Sequence, residues 1–481
     1  MKKLLTAFTY LMPFLLFGQV QQANLLGTWS RDDLTGSSFY NNTYNEIWGL
    51  SNGTQEFAVI GSTAGTHFID VTDPAQPEEV YFVPGAAQGG QVVHRDYHNY
   101  GCYLYAVCDE GNSTLQIMDV SYLPDSVSVV YDSDELIRRS HNIFIDTVDA
   151  RLYAFALFGG PQLSSAMRVY DITEPLDPKF EGEYNSFGSV DAGHVHDGWV
   201  HDGLAFLNCG NDGMAMVDFS DPTQPVTLGT LQTYPFAGYN HSGWPTSDLQ
   251  YYYLGDETWG YDLKVVDVSD PESLTTVNTF NAEAESNFSI PHNQIVACNY
   301  LYSSYYYDGL QIYDISDPVN PERVLYYPTT SIPAHQSYEG AWGVYPFLPS
   351  GNILISDMQE GLFIIEGPGD VCSDRDASVI SCLSPTAVND PGIVNALEIF
   401  PNPTNGVLNV NINLTEGQNR VKFDLVDLTG RVVTRLLAED QLIPAGDHQL
   451  NLTIPAQVQA GFYLLRISGD NWQHTKKIVV E

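Results

Sequence analysis

The sequence has few basic residues: 19 Lys and Arg stand against 59 Asp and Glu, a formal net charge of −40. Phosphate backbones and anionic lipid surfaces are bound through Lys and Arg, so this balance argues against nucleic acid and acidic membranes as partners. Such an acidic composition is typical of a protein that stays soluble in a salty medium. The more specific alternative is that the acidic surface binds a cation-rich partner.

Long apolar runs are also scarce. Residues 1–18 place two lysines before a short apolar core and end on the small residue Gly18, which predicts a signal peptide. No other stretch is long enough to cross a membrane, so we expect no transmembrane segment in the mature chain.

The signatures of several enzyme classes are missing as well. The chain has no Gly-x-Ser-x-Gly elbow, no P-loop and no dinucleotide fingerprint. Six cysteines in an exported chain permit disulfides. We expect one local pair, Cys372 with Cys382, and we expect Cys108 and Cys209 not to pair with each other.

What the sequence has instead is a repeat of alternating apolar residues that ends in Asp and a turn, as in residues 309–318. Successive copies lie 47 to 52 residues apart, and their central aspartates are Asp70, Asp119, Asp171, Asp218, Asp267 and Asp314. Each repeat has room for four antiparallel strands, which is the content of one propeller blade. One Asp per turn is better explained as a turn residue than as a calcium ligand.

The repeats predict an all-β, seven-bladed propeller over residues 23–366, and an irregular first or last unit would reduce the count to six. The last blade lacks its outer strand, and residues 24–30 resemble the missing one, so we expect an N-terminal strand to close the ring. Residues 367–395 contain few apolar side chains and are predicted to form a polar linker. Residues 396–481 are predicted to form a separate β unit, and their number suits a small β-sandwich.

Histidine placement is the most informative chemical signal. Five histidines open blades with similar neighbours, which predicts a ring around the central channel: His98, His141, His196, His241 and His292. Neutral imidazoles beside carboxylates suit Zn, Mn or Fe, and such an ion would activate water or polarise a substrate. The same histidines would equally serve to bond neighbouring backbone and tie blade to blade, and both interpretations stay open.

The loops around this ring are the predicted binding face, because loops converge at the funnel of a propeller. Its candidate residues are His94, His194, Asp197, Trp199, Trp244, Asp256, Glu257, His335 and Trp342.

Residues 400–406, 427–431, 460–463 and 476–480 closely resemble the type A sorting domain of the type IX secretion system of Bacteroidetes. The resemblance implies passage across the outer membrane through that machinery and removal of residues 396–481 by its sortase. Release or surface attachment through a lipopolysaccharide would follow.

The repeats, with residues 193–199, 240–244, 255–257, 291–293 and 340–351, resemble the LVIVD-repeat proteins and, within them, the choice-of-anchor B family. The last repeat departs from the pattern, with Ile-Glu in place of Asp. This resemblance implies the propeller fold and brings no biochemical assignment with it.

The sequence therefore favours a secreted or cell-surface module that binds an extracellular ligand, glycan or protein. The alternative is a metal-dependent hydrolase or lyase that uses the histidine ring, and a third hypothesis is an inert structural disc. The fold alone does not choose between them, and we favour binding over catalysis.

Overall fold

The computed structural model describes residues 20–160, 164–284, 286–369, 372, 374, 378–380, 394–415, 418–426, 432–437, 441–458, 461–468 and 473–480. The predicted signal peptide, most of the predicted linker and motif 427–431 lie outside these ranges. One 3-10 turn, Pro271–Ser273, is the only helical element that we label among the described residues. None of their helices has the length and apolar character needed to cross a membrane.

Residues 20–366 form seven antiparallel sheets, numbered here in chain order. The chain starts with β1 (Gln21–Gln22) and β2 (Leu25–Trp29). Sheets 1 to 3 contain β3–β6 (Tyr44–Ser51, Glu56–Ser62, Gly65–Asp70, Glu78–Pro84), β7–β10 (Arg95–Tyr100, Tyr103–Cys108, Leu115–Asp119, Ser128–Ser133) and β11–β14 (Ser140–Asp146, Arg151–Leu157, Ser165–Asp171, Lys179–Tyr184). Sheets 4 and 5 contain β15–β18 (Asp197–His201, Leu204–Asn208, Met214–Asp218, Val226–Leu231) and β19–β22 (Asn240–Pro245, Tyr251–Asp256, Leu263–Asp267, Thr275–Phe280). Sheets 6 and 7 contain β23–β26 (Gln294–Ala297, Tyr300–Tyr305, Gly309–Asp314, Glu322–Tyr327) and β27–β29 (Ala341–Tyr345, Ile353–Asp357, Gly361–Ile365).

The first strands of the seven sheets surround a central channel. Each of them contacts the first strand of the next sheet, and β27 of sheet 7 returns to β3 of sheet 1. The predicted closure is confirmed: β2 pairs antiparallel with β29, with Trp29 opposite Leu362. Strand β1 adds a parallel edge to β26. The chain start therefore covers two outer edges that would otherwise offer unpaired backbone groups.

The repeated aspartates are turn residues, as predicted. Each is the last residue of the third strand of its sheet, and its Oδ1 accepts the backbone N–H two residues on. The six acceptors lie 2.7–3.0 Å from their donors: Asp70, Asp119, Asp171, Asp218, Asp267 and Asp314.

The predicted Cys372–Cys382 disulfide is wrong, because Cys372 bonds to Cys298 in the turn between β23 and β24. Asp374 also accepts the backbone N–H of Cys298 at 2.8 Å. Further along, Ile380 donates its N–H to the carbonyl of Ser51 in sheet 1. The described residues after the last sheet therefore contact sheet 6 through Cys372 and Asp374 and sheet 1 through Ile380. We call Cys372, Asp374 and residues 378–380 the strap.

Cysteine state elsewhere is simple in the described part of the chain. Cys108 and Cys209 are buried free thiols, so the expectation that they do not pair is confirmed. Cys102 is also disulfide-bonded, and Cys382 lies outside the described residues.

The C-terminal region forms its own pair of sheets. One contains β30, β31 and β35 (Val394–Phe400, Val407–Leu414, Gly446–Thr453). The other contains β32, β33, β34, β36 and β37 (Gln418–Val426, Val432–Arg435, Gln441–Ile443, Gly461–Ser468, Gln473–Val480). Alternating apolar residues of both sheets, such as Val410 and Phe423, pack into one core, which is the arrangement of a β-sandwich.

Candidate metal centre

A closed circle of aromatic rings surrounds one end of the channel, where the first strands begin. Five imidazoles and one indole follow each other around it with neighbouring ring centroids 4.0–5.5 Å apart. In order they are His94, His141, His196, His241, His292 and Trp342. We call this set the histidine ring. It arises because the same position in successive sheets faces the axis.

Backbone carbonyls orient two of these imidazoles. His196 Nδ1 lies 3.1 Å from the carbonyl oxygen of His241 in the next sheet, and His292 Nδ1 lies 2.6 Å from that of Trp342. A carbonyl oxygen only accepts, so in each case Nδ1 carries the proton and Nε2 keeps a free lone pair. These bonds tie sheet to sheet, and they also leave Nε2 in the state that a metal ion requires.

Burial keeps most of the histidine ring neutral. His94, His196, His241 and His292 are each 2–6% exposed. Desolvation lowers the pKa of the first three well below the usual 6.5 and that of His292 to about 3. A ring of uncharged imidazoles is the protonation state in which these side chains act as metal ligands.

Two carboxylates lie against the histidine ring. Asp109 Oδ2 lies 2.6 Å from His141 Nδ1, and Glu257 Oε2 lies 3.9 Å from His241 Nε2. Burial opposes the charge on His141, but the hydrogen bond and the charge of Asp109 outweigh it and raise its pKa. Burial also raises the pKa of Glu257, to about 7, although Tyr306 donates to its Oε1 at 2.5 Å.

Four buried polar atoms of the histidine ring and its carboxylates have no well-aligned hydrogen bond among the described residues: His94 Nδ1, His241 Nδ1, Asp109 Oδ1 and Trp342 Nε1. The indole N–H of Trp342 is only a donor, the backbone of His292 holds His241, and the side chain of Glu110 bonds to Asp109, so His94 Nδ1 is the acceptor that lacks a partner. Buried nitrogen and oxygen atoms are rarely left without a partner, and either a water molecule or a metal ion would complete an imidazole nitrogen beside a carboxylate. Nitrogen and carboxylate oxygen together are the donor set of Zn, Mn and Fe.

Beneath the histidine ring the channel holds a small cavity of ≈ 70 Å³ with three acidic side chains in its wall, Glu46, Asp96 and Asp197. Burial raises the pKa of Glu46 and of Asp197 to about 7 and that of Asp96 well above its usual value. Asn142 and Asn293 complete this layer. Asp197, a predicted binding-face residue, therefore lines the channel and does not lie at its mouth.

His98 does not join the histidine ring, contrary to the prediction. It packs against Trp48 and Phe144, with centroids 4.5 and 4.9 Å away, at the far side of the cavity. In strand β7, Asp96 and His98 are equivalent to Asn142 and Phe144 in strand β11 of sheet 3. Arg95 is then equivalent to His141, but its guanidinium donates to the carbonyls of Ser62 and Ala87. His94 is therefore the residue of sheet 2 that joins the histidine ring.

Three other predicted binding-face residues are also elsewhere. Trp244 lines the cavity on the side of His98, and Trp199 contacts it with centroids 6.3 Å apart. Asp256 is fully buried inside sheet 5, where Lys264 Nζ lies 2.5 Å from its Oδ2 and Tyr234 donates to its Oδ1. These side chains belong to packing within and between sheets.

His194, Glu257, Trp342 and His335 do lie on the predicted face. His194 stands beside His196, and its Nε2 is 2.5 Å from the hydroxyl of Tyr239. His335 is exposed and pairs with Glu339 at 3.4 Å, and its only ring contact in the described chain is with Tyr307. It therefore takes no part in the histidine ring.

Sequence reasoning missed Asp109, Tyr239 and Tyr306. The signal for Asp109 was present, because it directly follows β8 as Glu257 directly follows β20. Each is the first residue after the second strand of its sheet. No comparable pattern marks the two tyrosines, whose roles depend on how the loops fold over the mouth.

Two family models match the chain. Residues 398–481 match the secretion system C-terminal sorting domain, and residues 192–233, 250–282 and 295–329 match the LVIVD repeat. None of the curated proteins matches the sequence. Solved structures described as the RRP9 WD40 repeats and U3-55K superpose with TM-scores of 0.51 and 0.50 at 9% identity, over 72% of this chain and 99% of theirs.

At this identity the structural likeness concerns the fold alone, and it agrees with an all-β propeller-like arrangement of four-stranded sheets. The chain carries LVIVD repeats and a C-terminal sorting domain, as the two resemblances implied. The sorting domain indicates export by the type IX secretion machinery, to the medium or the cell surface of a Bacteroidetes-type bacterium.

Proposed function

We propose that this protein is an exported metal-binding propeller, which holds a divalent transition-metal ion (Zn, Mn or Fe) at the histidine end of its channel. The observation that carries the proposal is the pair of buried clusters in which the candidate ligand atoms of two histidines and one carboxylate lie within 4.8 Å of one another. Ties between sheets account for the Nδ1 atoms of His196 and His292, and the backbone of His292 also holds His241, but His94 Nδ1 has no such partner.

The net charge of −40 supports the same function, because a strongly acidic protein concentrates cations near its surface. Processing fits an extracellular role. In this proposal the sortase of the type IX system removes residues 396–481, and the remainder is released or attached to lipopolysaccharide.

Binding is better supported than turnover. His94, His241 and His292 are 2–3% exposed, so a bound ion would be enclosed by protein and a substrate would have little access to it. For this reason we place the hydrolase or lyase hypothesis second to metal binding.

The test measures metal in the full-length exported protein by elemental analysis, before and after dialysis against a chelator and reloading with Zn²⁺ or Mn²⁺. We expect bound metal that the chelator removes and reloading restores. His241→Ala should lower the bound metal, while His335→Ala, which changes an exposed histidine of the same face, should not. A folded wild-type chain that takes up neither ion would overturn the proposal.

Binding of a glycan or protein ligand at the same face is a separate candidate function. Four exposed phenylalanines lie on the loops at this end of the sheets: Phe39, Phe158, Phe236 and Phe288. Exposed aromatic side chains supply the large, rigid contact area that binding surfaces use. Binding to an array of bacterial and host glycans should then fall in Phe39→Ser/Phe236→Ser. A loss that is equal in Phe180→Ser, on an outer strand, would argue against this face.

A further inference from the structure

The candidate ligands at the histidine ring fall into two groups of identical composition. One contains His94, Asp109 and His141, and the other contains His241, Glu257 and His292. Within each group the candidate ligand atoms lie within 4.8 Å of one another. Two histidines and one carboxylate are a recurrent donor set for Zn²⁺ and for non-haem Fe²⁺.

The carboxylates occupy equivalent places in their sheets. Asp109 follows the second strand of sheet 2, and Glu257 follows the second strand of sheet 5. The other five sheets have no acid at this position, which is filled by Thr63, Phe158, Cys209, Tyr306 and Met358. Acids thus occur only where two ring histidines stand beside them.

The first group also contains an imidazole that lacks a partner. His94 is 3% exposed, and its Nδ1 is without a hydrogen bond in the described chain. In the same group Asp109 Oδ2 lies 2.6 Å from His141 Nδ1, and the side chain of Glu110 also bonds to Asp109. In the second group Tyr306 holds Glu257 through Oε1, which leaves Oε2 toward His241.

No residue belongs to both groups, and each group has its own carboxylate. His196 stands between the groups, with its ring centroid 4.2 Å from that of His141 and 4.0 Å from that of His241. The groups therefore occupy different arcs of the histidine ring.

We propose that the channel mouth is a two-ion centre, with one divalent transition-metal ion held by His94, Asp109 and His141 and a second held by His241, Glu257 and His292. This inference rests on the proposed metal-binding function and adds its stoichiometry and ligand sets. His196 belongs to neither ligand set and stands between His141 and His241 in the histidine ring.

The experiment loads the full-length, chelator-treated protein with Co²⁺ and counts bound ions by elemental analysis and by the visible absorption of cobalt. Three variants are compared with wild type: Asp109→Asn, Glu257→Gln and the double variant. The control is Glu339→Gln, which changes the carboxylate paired with the exposed His335 on the same face. Circular dichroism establishes that each protein is folded.

We expect two ions in wild type and in the control, one in each single variant, and none in the double variant. The two single variants should also differ in their cobalt spectra, because each retains a different site. One ion in wild type that either substitution removes would overturn the two-ion centre and leave the metal-binding function standing. Two ions in both single variants would overturn these ligand sets. No ion in folded wild type would refute the proposed function itself.

Discussion

The disulfide between Cys298 and Cys372 should be a major source of stability in this propeller. It joins residues 74 positions apart, and closing a loop of this length in the unfolded chain is worth about 4 kcal/mol in the loop-entropy description. Export takes the chain to an oxidising environment in which such a bond persists. We therefore expect Cys298→Ser/Cys372→Ser to lower the free energy of unfolding by about 4 kcal/mol.

The strap makes the site of this effect identifiable. Beyond the disulfide it contacts sheet 1 through Ser51, and sheets 6 and 1 flank the sheet that the chain start completes. Urea unfolding followed by tryptophan fluorescence and circular dichroism measures the change. The two single variants break the same bond, so their losses should be similar to that of the double variant and should not add. A double variant within about 0.5 kcal/mol of wild type would refute this reasoning, since surface changes alone have effects of that size.

Three further perturbations have defined outcomes. Lys264→Met leaves Asp256 buried without its cation, so it should lower the free energy of unfolding in urea by about 3–5 kcal/mol. The double variant Lys264→Met/Asp256→Asn should recover part of this loss. A Lys264→Met variant as stable as wild type would contradict the expectation. Burial raises the pKa of Glu46 from 4.5 to about 7, so the native state retains a proton that the unfolded chain has released, and wild type loses stability as pH rises from about 4.5 to 7. The free energy of unfolding of Glu46→Gln should therefore rise relative to that of wild type between pH 4.5 and pH 7. Unfolding experiments at both pH values measure this, and an equal difference between the two proteins at both would contradict the assignment. A chain that begins at residue 31 lacks β1 and β2 and therefore exposes the edge of β29. We expect it to self-associate in size-exclusion chromatography, because an open strand edge pairs with other chains. A monomeric elution would contradict this role of the N-terminal strand.

The fold was predictable because the same local pattern occurs in six of the seven sheets. The Asp that ends each third strand, for example Asp314, marks the turn, and its spacing along the chain marks the sheet. The closing strand was also readable, since residues 24–30 resemble the outer strands they replace. The Cys298–Cys372 bond was not, because nothing local indicates that a residue after the last sheet returns to sheet 6.

The sequence predicted where the site lies, but it did not predict all of the residues that form it. Repetition places one residue per sheet at the mouth, and this identified His141, His196, His241 and His292. Sheet 2 has two candidates, His94 directly before β7 and His98 within it, and sequence similarity to neighbouring sheets favoured the wrong one. The choice depends on Arg95, whose guanidinium bonds to carbonyls of Ser62 and Ala87, a contact that no alternation pattern reports.

The histidine ring has two interpretations, hydrogen bonds that tie neighbouring sheets together and metal binding. At some positions one histidine can do both, and at others the two interpretations make different predictions. At His196 and His292 the same Nδ1–H bond does both, since it fixes the neighbouring sheet and leaves Nε2 free. At His94 the Nδ1 atom bonds to nothing in the described chain. A buried polar group left this way costs about 1–3 kcal/mol, so structural ties alone would leave His94 destabilising. A ligand at this atom removes that cost, and for this reason His94 decides between the interpretations.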